Sequence, residues 1–136
     1  MRFSSPHVRS IMAPAVIAAS LAATAPAMAQ DAADKAYRSA TGLLNRGMHE
    51  LAAEEYLAFL SKNPDHPKAS SARYGLAVCF ASLGRHADAI KELRKLTELK
   101  SFEFAAETRL LLGQSLLATN GADGAARALA PFGTEY

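Results

Sequence analysis

The chain has 136 residues, half of them apolar, which is long enough for one domain with a packed core. Its 15 basic and 13 acidic residues leave a formal charge of +2. This near balance gives no electrostatic reason to expect nucleic acid or an anionic membrane as a partner.

The amino terminus has the order of a secretory signal peptide. Arg2 and Arg9 precede an apolar stretch of 13 residues at positions 11–23, and small residues follow it. Ala27 and Ala29 form the A-x-A arrangement that predicts cleavage after Ala29. The apolar stretch is shorter than the roughly 20 residues that a membrane span needs. An uncleaved amino-terminal anchor is the alternative interpretation.

Cleavage at that site changes the charge and predicts the location. Residues 1–29 contain both arginines and no acid, so residues 30–136 carry 13 basic and 13 acidic residues. We therefore expect an exported protein, periplasmic or secreted, whose mature chain is neutral and has no membrane span. Gln30 would be its first residue.

Two stretches of the mature chain are related by an internal repeat. The sequence "GMHELAAEEYLAFL" resembles "GRHADAIKELRKLT", which begins 37 residues later. No stretch alternates polar and apolar residues as a half-buried strand would. The pattern predicts an all-α chain of three helical hairpins at about residues 33–66, 69–101 and 102–132, the last of them short, as if truncated.

Turn residues mark the ends of the predicted helices. Gly47 and Gly84 can adopt the positive φ that ends a helix, and Pro64 stops the second helix of the first hairpin. In the third hairpin the turn lies at Asn120-Gly121 and is one residue longer. In the second hairpin, apolar residues are predicted to face inward and the charged residues Lys91, Glu92, Arg94, Lys95 and Glu98 outward.

These positions resemble the tetratricopeptide repeat, which has a small residue in the middle of the first helix, a turn glycine, an early alanine in the second helix, an aromatic residue one turn later and a proline after it. The residues that carry the resemblance are Ala40, Gly47, Ala52, Tyr56 and Pro64; Ala77, Phe80, Gly84, Ala89 and Leu93; and Gly113, Leu116 and Ala125. The period is longer than the commonest 34 residues. Longer units with linkers like "NPDHPKA", residues 63–69, are similar to repeats of exported bacterial envelope proteins.

The resemblance implies a right-handed superhelical stack of hairpins, an α-solenoid, whose first helices line a concave groove. The residues that it places in this protein-binding groove are Tyr37, Thr41, Tyr74, Val78, Leu110 and Gln114. An alternative role for the tyrosines is packing between hairpins. The Lys/Asn/Arg set with which some family members hold a peptide carboxylate is absent from these places.

The histidines do not predict a metal site. His49-Glu50 starts like the zinc motif H-E-x-x-H, but Ala53 occupies the place of the second histidine. His49 and His86 stand at equivalent places and are expected to pack at the start of the second helices, whereas His66 in the linker is expected to be solvated. Cys79, the only cysteine, is expected to be a buried apolar residue. We expect no catalytic set, no metal and no cofactor.

These expectations favour a non-enzymatic scaffold or adaptor of the cell envelope that binds a protein or peptide. One alternative is an amino-terminal docking module of a longer exported enzyme or transport component. A glycan-binding envelope protein is a third, disfavoured because the chain has no tryptophan. The last hairpin lacks a polar capping helix, which leaves oligomerisation through that hairpin open.

Overall fold

The computed structural model describes residues 24–130 and 133. The helices are α1 (Thr24–Asn45), α2 (His49–Lys62), α3 (Ala69–Ser82), α4 (His86–Thr97) and α5 (Ala105–Leu129). Throughout these residues the regular elements are helices and no strand occurs, which confirms the all-α prediction. None of the helices in this part of the chain has the length and apolar character that crossing a membrane requires.

The helices are arranged in two layers. Each helix contacts the next along the chain, and in addition α1 contacts α3 and α3 contacts α5. Within the described residues, α2 and α4 make no such contact. The first helices of the hairpins therefore form one closely spaced layer, and the second helices lie behind them. The right-handed superhelix itself stays a prediction.

Large side chains between the layers form the core, and alanines let the helices approach. Tyr56, Phe59 and Leu93 are at most 2% exposed, and Ala52 and Ala89 are completely buried. Full burial of one large apolar side chain contributes roughly 1.5–3 kcal/mol. The core also holds the other small residues of the repeat, namely Ala40, Ala77 and Ala125, as well as Phe80 and Leu116. Burial of these side chains therefore stabilises the packing of the helices through the hydrophobic effect.

Two turns have the same hydrogen-bonded form. Gly47 and Gly84 have φ values of 74° and 73°. The N–H of Gly47 donates to Leu44 O at 2.9 Å, and the N–H of Met48 donates to Leu43 O at 3.0 Å. The same pair of bonds recurs around Gly84, and both turns are Schellman motifs. A positive φ is needed at each glycine for these bonds to form.

Replacement of Gly84 by valine is expected to lower the free energy of unfolding by about 1–3 kcal/mol, because a β-branched residue resists positive φ. Space is not the reason, since no atom lies within 4 Å of a Cβ built there. Gly42→Ala is the matched control: this glycine lies inside α1 with equally open space, and alanine there should be neutral or stabilise by up to about 1 kcal/mol. Urea denaturation measures the free energy of unfolding of both variants. Equal values for Gly84→Val and Gly42→Ala would contradict the predicted loss at Gly84.

The third turn lies inside the single element α5. Gly121 has φ 71° and ψ −176°, so the backbone leaves the helix there and resumes it at once. We call residues 105–120 the first segment of α5 and residues 122–129 its second segment. Together they form a third hairpin whose connection is tighter than the first two, so the expectation of a longer turn there was wrong.

Both ends of the chain extend beyond the described residues. α1 begins at Thr24, so the predicted cleavage site lies within this helix, and Ala27 and Ala29 are exposed there. Residues 1–23, which hold most of the predicted signal peptide, lie outside the described residues, as do Pro131 and Phe132 at the predicted end of the third hairpin. The cleavage prediction is therefore not tested by the fold.

The expectation that Glu92 faces solvent was wrong. Its side chain is only 13% exposed, because Arg73 on α3 donates to Glu92 Oε2 at 2.7 Å and Lys95 donates to Oε1 at 3.0 Å. Burial raises the pKa of this carboxyl, but hydrogen bonds from Lys95 and Arg73 outweigh burial and hold the pKa of Glu92 below its usual 4.5. The residue therefore joins the two helices of the second hairpin.

Cys79 is fully buried on α3, and burial raises the pKa of its thiol from 9.0 to about 11. A raised pKa stabilises the folded state below the ordinary pKa, and this stabilisation is lost as the pH rises from about 9 through about 11. We expect a loss on the order of 1–3 kcal/mol across that window. Cys79→Ala should unfold more easily at pH 7 but lose less stability between pH 9 and 11. Parallel pH profiles of the two proteins would contradict this.

Candidate functional site

The six residues predicted to line a groove lie on the first helices of the three hairpins. We call this set the first-helix row; its members are Tyr37 and Thr41 on α1, Tyr74 and Val78 on α3, and Leu110 and Gln114 on α5. The members on α1 and α3 are half-buried, whereas those on α5 are exposed. The row therefore follows the layer in which first helices touch one another.

Tyr37 packs at the junction between the first and second hairpins. Its ring centroid lies 6.2 Å from that of Tyr56 and 5.9 Å from that of Phe59. Lys68, the residue that precedes α3, places its Nζ 6.0 Å from the Tyr37 ring centroid. One side of this tyrosine is thus core, and the other side meets the start of the next hairpin.

Tyr74 occupies the same place at the second junction. Its ring stacks on Phe104 with centroids 5.2 Å apart and planes inclined by 15°. Phe104 directly precedes α5, as Lys68 directly precedes α3. Burial, with a smaller contribution from the nearby Glu107 carboxylate, raises the pKa of Tyr74 above its usual 10.0. Both tyrosines therefore contact the start of the following first helix while remaining partly accessible.

Thr41 and Tyr56 form a hydrogen bond beneath the row. The two hydroxyl oxygens lie 3.0 Å apart, and Thr41 Oγ1 is also 3.0 Å from the carbonyl oxygen of Tyr37. Burial raises the pKa of Tyr56 above 10.0 even though the Thr41 hydrogen bond lowers it. Hydrogen bonds to Tyr37 and Tyr56 therefore fix the Thr41 side chain. Val78, in contrast, presents an apolar, half-exposed side chain with no hydrogen-bonding group.

A small cleft adjoins Tyr37 at the start of the row. It has a volume of about 260 Å³ and is lined by Asp34, Tyr37, Arg38 and Lys68. Arg38 Nε donates to the carbonyl oxygen of Asp34 at 3.3 Å, and both basic side chains are exposed. The row is thus bordered by basic residues on the first hairpin and by Glu107 on the third.

His66 was expected to be solvated, and this expectation was wrong. Its side chain is 5% exposed and lies edge-on to Phe59, with ring centroids 5.3 Å apart. The N–H of Lys68 donates to His66 Nδ1 at 3.1 Å, and His66 Nε2 lies 3.1 Å from Gln30 Nε2 and 3.6 Å from Asp34 Oδ1, both on α1. His66 therefore fastens the linker between the first two hairpins to α1.

The other two histidines lie at the starts of α2 and α4. His49 Nδ1 and His86 Nδ1 are buried and have no hydrogen-bond partner among the described residues. Within residues 24–130 no three His, Cys, Asp or Glu side chains come together as metal ligands would. The burial of Nδ1 agrees with a packing role for both rings.

The repeat pattern has an independent counterpart among known families. The family described as tetratricopeptide repeat matches residues 37–103, from α1 to the residue before Phe104. No curated protein matches the chain. The match covers the complete second hairpin and most of the first, and it supports the presence of tetratricopeptide repeats in this part of the chain.

Proposed function

We propose that the protein is a non-enzymatic scaffold or adaptor that binds a protein or peptide along the first-helix row. Tetratricopeptide repeats generally mediate protein–protein interaction, and this family is typically non-catalytic. The observation that carries the proposal is the row itself: partly accessible tyrosines and an aliphatic residue on first helices that contact one another. Tyrosine combines apolar area with a polar hydroxyl group, which suits an interface.

The charges beside the row favour one direction for the bound segment. Two cations, Arg38 and Lys68, and one carboxylate, Asp34, border the cleft at Tyr37, and Glu107 lies near Tyr74. An extended segment with an acidic residue over the first hairpin and a basic residue over the third would match both ends. Its central residue would be apolar, because Val78 lies between these charges.

Site-specific photocrosslinking tests this proposal. A benzoylphenylalanine at Val78 should form crosslinked adducts with a partner in an envelope fraction, whereas the same residue at Glu55, exposed on α2, should not. Thermal melts of both variants show that the fold is kept. Adducts at Glu55 alone, or equal adducts at both positions, would reject the row as the binding surface.

We also propose that the protein acts in the bacterial cell envelope after removal of residues 1–29. The support is the charged, apolar and small-residue order of that segment. Amino-terminal sequencing of protein recovered from the periplasm or medium should give Gln30 first. A chain that begins with Met1 would contradict the cleavage.

A further inference from the structure

An apolar cleft lies between the two segments of α5, at the far end of the stack. It has a volume of about 330 Å³. We call it the end cleft; it is lined by the largely apolar set Leu110, Gly113, Gln114, Leu117, Ala125 and Leu129, together with Arg109. Leu110 is 64% exposed and Leu117 is 54% exposed. Two large aliphatic side chains thus stand in water beside an apolar floor.

The earlier hairpins show what fills such a cleft. Leu129 lies four residues after Ala125, as Leu93 and Tyr56 lie four residues after Ala89 and Ala52. It is therefore the counterpart of Leu93 and Tyr56, which are 0% and 2% exposed. Over Tyr56 lies Gly75 of α3, so close that a Cβ on this glycine would be 2.5 Å from Tyr56 Cζ. The second hairpin is covered in turn by α5, which contacts both α3 and α4. In both cases the occupant is a helix.

The opposite end of the stack differs. The buried residues of α3 include Ala72, Gly75 and Leu76, and Gly75 lies against Tyr56 of the first hairpin. Their counterparts on α1, 37 residues earlier, are Lys35, Arg38 and Ser39, all exposed. This outer face of α1 is therefore polar and suited to water, whereas the end cleft is apolar.

This difference argues against a second copy of the chain as the occupant. Head-to-tail stacking would press Lys35 and Arg38 onto the apolar cleft and desolvate both charges without a partner. A symmetric pair could offer each cleft only the exposed Leu110 and Leu117 of the other copy, which is a smaller surface than the helix that covers each earlier hairpin. A single convex helix avoids both problems.

We propose that the end cleft, which shares Leu110 and Gln114 with the last part of the first-helix row, binds one amphipathic α-helix from a partner protein. By analogy with α3, this helix presents small residues three and seven positions apart, as at Ala72, Gly75 and Cys79, to the floor at Leu129. Apolar residues on its flank contact Leu110 and Leu117. The contact continues the stacking that already joins the hairpins within the chain.

The probe for this proposal is a synthetic peptide of residues 67–84, the segment that contains α3. Fluorescence anisotropy with the mature chain, residues 30–136, should show saturable binding. Leu117→Lys should weaken binding by about tenfold or more. Leu57→Lys, at a residue of α2 that is 48% exposed, is the matched control and should leave binding unchanged. Melts of both variants should equal that of the parent chain.

Other results would overturn the proposal. Absence of binding would show that the cleft is closed by the chain itself or does not accept a helix. Equal weakening by both lysine variants would place the peptide elsewhere. A dimer in sedimentation that Leu117→Lys dissociates would identify a second copy as the occupant. Val78 does not line the end cleft, so crosslinking there reports on the part of the first-helix row outside the cleft, and failure of either proposal can be recognised separately.

Discussion

Replacement of Gly75 by leucine is expected to lower the free energy of unfolding by about 3 kcal/mol, the upper part of the range for overpacked cores. A Cβ at this position would lie 2.5 Å from Cζ and 2.6 Å from the hydroxyl oxygen of Tyr56. Tyr56 is 2% exposed, and its hydroxyl is held 3.0 Å from that of Thr41, so the ring has no space into which it can move. The larger side chain must therefore push α3 away from α2.

The control for this prediction is Gly42→Leu, because Gly42 also lies in a first helix but has nothing within 4 Å of a built Cβ. Urea denaturation should show a large loss for Gly75→Leu and little change for Gly42→Leu. Combining Gly75→Leu with Tyr56→Leu should destabilise by less than the sum of the single changes, with a coupling of about 1–3 kcal/mol. Additive effects would mean that the two residues do not oppose each other.

The role of Gly75 shows where sequence periodicity reaches its limit. The turn glycines Gly47 and Gly84 were predictable, because a glycine that follows an apolar helical stripe is a local signal. Gly75 lies within such a stripe, and its importance depends on Tyr56, which belongs to another hairpin. Only the three-dimensional contact shows that a side chain is excluded there.

The two wrong expectations have the same physical origin. His66 lies in a linker and Glu92 in a charged helix, and these local settings are typical of solvated side chains. The fold instead brings His66 to Asp34 and Phe59, and brings Glu92 to Arg73. Partners distant in sequence bury both groups, so periodicity along one helix could not predict the outcome.

The candidate site was predictable in part. Alignment of the repeats placed Tyr37, Tyr74 and Leu110 at matching places of the first helices, 37 and then 36 residues apart, and the structure has them on α1, α3 and α5. The stacking of Tyr74 on Phe104 was not predictable, because the segment before α5 has no helical period and its path over the second hairpin is set by packing. The tyrosines therefore have a packing role in addition to the proposed binding role.

This packing predicts a graded series of stabilities at the shared register. Tyr74→Ala should lower the free energy of unfolding by about 2–3 kcal/mol, less than a fully buried aromatic would, because its ring is half-buried against Phe104. Tyr37→Ala should lose a similar amount through its contacts with Tyr56 and Phe59. Leu110→Ala should change stability by no more than about 0.5 kcal/mol, because this side chain is 64% exposed.

Thermal melts of the three alanine variants measure this series. For a chain of about 100 residues, 1 kcal/mol corresponds to a shift of roughly 4–8 °C in the melting temperature. The two tyrosine variants should therefore melt roughly 10 °C lower or more, and Leu110→Ala should melt close to the parent chain. Equal shifts in melting temperature at all three positions would contradict this explanation. It holds that each of these side chains contributes to stability according to how far the following hairpin covers it. An unchanged melt for Tyr74→Ala would show that its ring does not hold the hairpins together and serves the exposed surface alone.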